Sequence, residues 1–493
     1  MSHSGKKTTE ADRSLDPADW GAFRQTAHAL LDDCIDYMET LPDRRAWTPV
    51  PDAVKARLTG PAPGPGRPLD GVVADFKEMI LPHATGNGHP RFFGWVHGTG
   101  NPAGMLAELC AATMNSNCGG RDHGAVYVER QVIEWARGIF GFPEGASGIL
   151  TGGTSSATLL ALSAARVGKV GAGLRKAGME QGPQLVAYAS AEAHSANTKA
   201  LEIMGVGANW LRPVPVDANH ALVPERLRAM VQEDLAAGRQ PFCAIATVGT
   251  VNTAGGDDVN AVADICAEFD LWLHVDGAFG AWARLADDPW RAYTNGIERA
   301  DSLAFDFHKW MYVQYDVGCV LFRDEAVHRA AFAARPDYLA ATTRGVSGGE
   351  PWYCDYGLDL SRGFRALKVW FTINHYGTDE LGRKVSDNCR QAARLADLVT
   401  GDPDLELMTP AGLNICCFRY VGQGGLDDAA LDALNAAIVL QVQEEGFAVP
   451  SSTRIGGRYA IRVAITNHRT RLSDMDLFRD RVVQVGRELE GRS

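Results

Sequence analysis

Apolar residues at Phe23, Ala27, Leu30, Leu31 and Ile35 recur at the spacing of one helix face, and Leu41-Pro42 ends the pattern. The chain before about Asp16 reads as a loose tail, and Gly60 to Pro68, Gly-Pro-Ala-Pro-Gly-Pro-Gly-Arg-Pro, reads as a linker. Further on the period changes. Short apolar runs at Leu185 to Ala189, Pro241 to Val248, Leu271 to Val275, Ser302 to Phe305 and Gly318 to Phe322 have the length of buried strands, and helical stretches separate most of them. From about Ile149 to Phe322 this alternation predicts an α/β fold. Its sheet is mainly parallel, with helices on both faces and functional groups at the strand ends. A long helical run at Phe364 to His375 follows. Beyond it a strand at Leu413 to Val421, a helix near Asp428 to Glu445 and a strand at Tyr459 to Ile465 predict a smaller C-terminal α+β domain. The expected division is an N-terminal helical arm over 1–95, a large domain over 96–375 and a small domain over 376–493, with no internal repeat.

Composition narrows the function classes. An apolar content of 46% over 493 residues is ample for buried cores. The balance of 48 basic against 60 acidic residues, net -12, argues against nucleic acid or an anionic membrane as partner. The ten cysteines are scattered, with Cys416 and Cys417 adjacent, and form neither a Cys-x-x-Cys pair nor a cluster of metal-ligand spacing. They read as reduced core residues, and no metal is expected. Met1 to Ala18 is polar and no run of about eighteen apolar residues occurs. The expected location is cytoplasmic.

Four segments carry candidate chemistry. Leu303 to Tyr312, Leu-Ala-Phe-Asp-Phe-His-Lys-Trp-Met-Tyr, sets Lys309 beside His308 after a strand-like run. A desolvated lysine can lose its proton near neutral pH and attack an aldehyde, although a solvated loop charge is the other reading. Leu271 to Gly280 ends its apolar run in Asp276, either a carboxylate delivered to a site or a turn residue. Gly148 to Leu160, Gly-Ile-Leu-Thr-Gly-Gly-Thr-Ser-Ser-Ala-Thr-Leu-Leu, joins a short strand to a helix through two glycines. That is the outline of a phosphate cradle, with Thr154 and Ser155 as hydroxyl donors, or of a plain helix cap. It has neither the Walker nor the Rossmann spacing. His194 stands at a strand-to-helix junction, where its flat ring could lie on a cofactor or cap the helix.

Along the chain the four run glycine turn, His194, Asp276 and His308-Lys309, an order that resembles the fold type I pyridoxal phosphate (PLP) enzymes, and among them the group II amino-acid decarboxylases, such as the aromatic L-amino-acid decarboxylases. The resemblance runs from about His89 to the C-terminus. It is carried by His89-Pro-Arg-Phe-Phe93, Ala193-His-Ser195, His274-Val-Asp-Gly-Ala278, His308-Lys-Trp310 and Phe364-Arg-Ala-Leu-Lys368. It implies a mainly parallel sheet of the seven-stranded type, a smaller α+β domain and an N-terminal helical arm that packs on the partner subunit of a homodimer. It implies that Lys309 is the Schiff-base lysine, that Asp276 pairs with the pyridinium nitrogen, and that His194 stacks on one ring face while Ala278 closes the other. Thr154, Ser155 and His308 would hold the phosphate, and Thr250 would lie close to the cofactor.

The resemblance also implies a tyrosine on a mobile loop that returns a proton to Cα. Counting back from Phe364 places Tyr353 there, with Tyr356 as its competitor, behind a Thr, Gly and Ser rich stretch from Ala340 to Gly349 that suits a lid. Two departures stand out. Asp306 occupies a position where many relatives carry Asn, and it is expected to turn toward backbone amides rather than toward phosphate. Asp122 to Glu129 lacks the run typical of the aromatic amino-acid decarboxylases. Phe92, Trp95 and His97 match the stretch that lines the side-chain end of the pocket. The expected reaction is decarboxylation of an L-amino acid, aromatic ones favoured (tryptophan, phenylalanine, tyrosine or Dopa). The alternatives are an acidic or other polar substrate, or aldehyde synthase or lyase chemistry on the same fold. A silent binding protein of this fold and a nucleotide-binding α/β enzyme are the remaining readings.

Overall fold

The computed structural model of the chain describes residues 14–334, 344–349, 352–422 and 424–491. The described part of residues 1–44, together with 48–85, forms one compact unit, and 45–47 with 86–493 the other. In the first unit the predicted helix spans Trp20–Glu39, capped by Asp19, whose carboxylate accepts from the amides of Gly21 and Ala22. None of its residues is buried. Within that unit it is tied down by polar contacts, Thr26 Oγ1 to Asp70 at 2.6 Å and Lys77 to Asp33 at 2.7 Å.

The second unit holds two sheets. Its strands in chain order are β1 Phe92–Phe93, β2 Ser147–Thr151, β3 Leu185–Ser190, β4 Leu211–Val214, β5 Gln240–Thr247, β6 Trp272–Asp276, β7 Ser302–Asp306, β8 Gly318–Phe322, β9 Leu405–Leu407, β10 Ile415–Tyr420, β11 Val449–Ile455 and β12 Arg458–Ala464. The larger sheet has seven strands in the order β2-β8-β7-β6-β5-β3-β4. It is parallel from β4 to β7, while β8 runs antiparallel to both β7 and β2. Every residue of β2, β3, β6, β7 and β8 is buried, as strands covered on both faces must be. Each fully buried Val or Leu there contributes about 1.5–3 kcal/mol relative to exposure.

Parallel topology brings the C-terminal ends of β5, β6 and β7 side by side, with Thr247 in register with Asp276 and Asp276 with Ala304. The antiparallel β8 returns Gly318 beside Asp306 and, through β2, beside Thr151. The glycine turn after β2 therefore meets the ends of the parallel strands.

The smaller sheet has the order β1-β11-β12-β10-β9. It is reached through a helix over Ala366–Thr400, interrupted where Gly377 adopts φ 75. Four strands escape the periodicity, β1 and β9 being only two and three residues long. β4 carries Arg212 and Pro213 and lies at the sheet edge, where proline is tolerated, and β11 reads Val-Pro-Ser-Ser-Thr-Arg-Ile. Among the described residues no helix is long and apolar enough to cross a membrane, and no His, Cys, Asp and Glu cluster could hold a metal ion.

Candidate active site

A cavity of about 500 Å³ opens where the strand ends meet the glycine turn. Gly152, Gly153, Thr154, Ser155 and Ser156 line one end; Asp276, Ala278, Asp306, His308 and Lys309 line the floor. His194 lines it from the loop after β3, and Trp95, Val96, His97, Val251 and Tyr315 close the other end.

The glycine turn leads into a helix over Thr154–Val170 with nothing from Gly153 to cap it. The amides of its first turn and its dipole face the cavity, an anion site by construction. Asp306 takes the first of these amides, accepting from Thr154 N at 2.7 Å through Oδ1. The side chain does turn to a backbone amide, but that amide belongs to the glycine turn, so the carboxylate still lines the cavity. Its Oδ2 lies 2.8 Å from Lys309 Nζ and 3.8 Å from His308 Nε2. His308 Nδ1 accepts from Val317 N at 3.1 Å, and burial pushes this imidazole below its ordinary value, so the ring is neutral near pH 7.

Asp276 ends β6 with its side chain buried. Its oxygens accept only from Ala278 N at 3.2 Å and Asn197 Nδ2 at 3.4 Å, and among the described residues it forms no ion pair. A carboxylate removed from water with two long neutral bonds calls for a cation in the cavity. His194 is exposed, with Nδ1 accepting from Ala196 N at 3.1 Å, which fixes the ring and leaves its face free. Two buried hydroxyls lining the cavity, Thr154 Oγ1 and Thr247 Oγ1, have no hydrogen-bond partner among the described residues. A ligand with an anionic end, a protonated ring nitrogen and an aldehyde within reach of an amine fits this set of groups.

Close backbone contacts hold the cavity together. A Cβ at Gly98 would lie 1.9 Å from the carbonyl oxygen of His308, so the segment carrying Trp95 and His97 can approach the lysine loop only with glycine there. A Cβ at Gly318 would fall 2.6 Å from Asp306 Oδ1. Behind the turn, Arg362 forms a buried pair with Glu129, which also accepts from Leu150 N at 3.2 Å just before the glycines.

Residues 51–421 match the family model described as the pyridoxal-dependent decarboxylase conserved domain. The chain belongs to that family. It is similar to the aromatic-L-amino-acid decarboxylase of Bacillus atrophaeus, 31% identical over 456 residues, covering 92% of this chain and 93% of that one. It is also similar to the phenylacetaldehyde synthase of Arabidopsis thaliana, 30% identical over 462 residues, with 92% and 93% covered. Among solved structures it resembles Oryza sativa TDC with PLP and tryptamine, with a TM-score of 0.88, 26% identity, and 97% and 100% of the two chains covered. This chain is thus a PLP-dependent amino-acid decarboxylase.

In this decarboxylase most of the residues singled out from the sequence converge. Lys309, Asp276, His194, Thr154, Ser155, Ala278, His308, Trp95 and His97 all line one cavity. Three do not. Thr250 is buried in its own turn, its Oγ1 3.2 Å from Thr253 Oγ1, and Thr247 at the end of β5 takes the place facing the cavity. Phe92 packs with Ala46 and Val449 and supports the wall from behind, its ring 5.9 Å from that of His97. Tyr353 lies against Arg362, its ring 5.1 Å from the guanidinium, and lines a separate cavity together with Tyr356, whose hydroxyl donates to Glu325. Neither tyrosine is brought to Lys309 within the chain, because the segment after Pro351 folds back onto the Glu129–Arg362 pair. Of the stretch from Ala340 to Gly349, residues 340–343 lie outside the described residues.

Tyr315 was missed. Its ring stands 4.4 Å from that of His308 and 6.0 Å from that of His97, and only its nearness in sequence to Lys309 could have signalled it.

Proposed function

We propose that the amino acid taken by this decarboxylase is aromatic, and that it is held between the strand-end groups and a wall of Trp95, His97 and Tyr315. The observation that carries this is the joining, in one cavity, of an amine, a buried carboxylate and a glycine turn to an aromatic end wall. PLP, when bound, supplies an aldehyde for amines and a ring that accepts the electron pair released at Cα. The placement of the chain's own groups supports the following roles. The glycine turn with Thr154 and Ser155 would bind the phosphate, Asp276 would hold a proton on the ring nitrogen, and His194 and Ala278 would confine the ring. Lys309 would be the amine that takes the aldehyde, and its Nζ would take up or give the proton exchanged with the incoming amine. His97 is pushed below its ordinary value by burial and then by the charges of Lys309 and His308. It therefore meets the substrate side chain as a neutral imidazole.

The chain is further proposed to work as a cytoplasmic homodimer. Trp20, Phe23 and Ile35 on the N-terminal helix, and Leu106, Leu109 and Met114 on the helix Pro102–Met114, are large apolar side chains exposed to solvent, the kind of surface a second copy covers. All ten cysteines are free, as in a reducing compartment. Sedimentation should give twice the chain mass, and cell fractionation should find the protein in the cytosol.

The deciding experiment follows carbon dioxide, amine, aldehyde and peroxide together, with PLP-loaded protein and a panel of L-amino acids. Carbon dioxide with equal amine from tryptophan, phenylalanine, tyrosine or Dopa is the expected result. Turnover only of acidic or aliphatic amino acids would overturn the substrate class, and aldehyde with peroxide would place the chain with the synthases.

A further inference from the structure

Asp306 puts a negative charge where an anion is to be bound. The side chain is buried at the end of β7. One oxygen occupies the Thr154 amide, the first donor of the helix whose N-terminus faces the cavity, and the other lies 2.8 Å from Lys309 Nζ. Gly318, with no room for a Cβ, packs against the first oxygen and helps hold the carboxylate in place. The same group therefore blocks a phosphate donor and restrains the amine that must meet the aldehyde.

We propose that Asp306 is a positioning residue that holds Lys309 toward the glycine turn and opposes the cofactor phosphate, so that loading must open the Asp306–Lys309 pair. The inference rests on the reading of Lys309 as the cofactor lysine. An amide at this position would keep the Thr154 bond through its oxygen and present an N–H donor in place of the second oxygen. Repulsion of the phosphate would become attraction, and Lys309 would be released.

The test is to load full-length protein, freed of cofactor, with pyridoxal phosphate or with pyridoxal, following absorbance to obtain affinity and rate. In Asp306→Asn the affinity for pyridoxal phosphate should rise about tenfold and loading should be faster, whereas pyridoxal, lacking the phosphate, should gain less. A general loosening of structure would not separate the two ligands. Thermal melting confirms that the variant is folded, and Asp306→Ser, which also removes the charge, gives the same comparison if asparagine is not tolerated. Equal or weaker affinity for pyridoxal phosphate in the folded variant, or an equal gain for pyridoxal, would overturn the proposal. Borohydride reduction of the loaded parent, followed by peptide mapping, separates this from the underlying reading. Label on a lysine other than Lys309 defeats that reading, whereas label on Lys309 with no change in Asp306→Asn defeats only the role of Asp306.

Discussion

The two ends of the cavity are built differently. At the end with the glycine turn, Asp276 and Asp306 are the last residues of neighbouring strands, Lys309 follows three residues after Asp306, and the turn itself leaves β2 of the same sheet. Ladder hydrogen bonds fix these groups. At the side-chain end, Trp95, Val251 and Tyr315 come from three loops, and Trp95 is held with φ 52, in the left-handed region. What gathers two of them is Arg462 of β12. It donates to Trp95 O at 2.9 Å, to Asn252 O at 3.1 Å and to Val251 O, while buried and without a carboxylate partner among the described residues. Burial pushes this guanidinium down to about 10, so it stays charged at neutral pH. The lysine and both carboxylates rest on one sheet, and the aromatic wall opposite them depends on the smaller sheet.

The contrast can be broken at either end. Lys309→Ala should lower kcat by about 10³-fold or more, and borohydride should no longer fix the cofactor to the chain. Asp276→Asn should lower kcat by about 10²-fold with a small change in KM, since a neutral amide cannot balance a protonated ring nitrogen. Initial rates over a range of substrate concentrations check both. At the other end, Arg462→Met leaves three carbonyls without their donor. KM should rise about tenfold while kcat falls less than about threefold, with partial recovery in Arg462→Lys. A larger fall in kcat than rise in KM would show that the two ends are not separable. The smallest effect belongs to a residue at neither end. Tyr353→Phe should leave the ratio of amine to carbon dioxide unchanged and the rate within about twofold, as read from the same product assay.

Much of the sheet was legible because strands buried on both faces are continuous apolar runs, and β3, β5, β6, β7 and β8 are such runs. Edge and half-exposed strands do not announce themselves, and β1, β4, β9 and β11 left no periodic signal. At the site, Asp276, Asp306 and Lys309 could be read because strand ends deliver them directly. Thr250 and Thr247 could not be told apart by spacing: both follow an apolar run, and only the turn that closes Thr250 onto Thr253 turns one away from the cavity. Tyr353 was placed by counting along the chain, but the buried Glu129–Arg362 pair draws its segment inward.

The linear order of residues determined the α/β alternation, the glycine turn, the carboxylates at two strand ends and the lysine just past one of them, since each depends on neighbours a few residues apart. Tertiary structure alone decided that Asp306 reaches the Thr154 amide of the glycine turn, that Arg462 reaches back to Trp95, and that Tyr315 rather than Tyr353 lines the cavity. Those choices turn on contacts between segments up to several hundred residues apart, and no local pattern encodes such contacts until the sheets have formed.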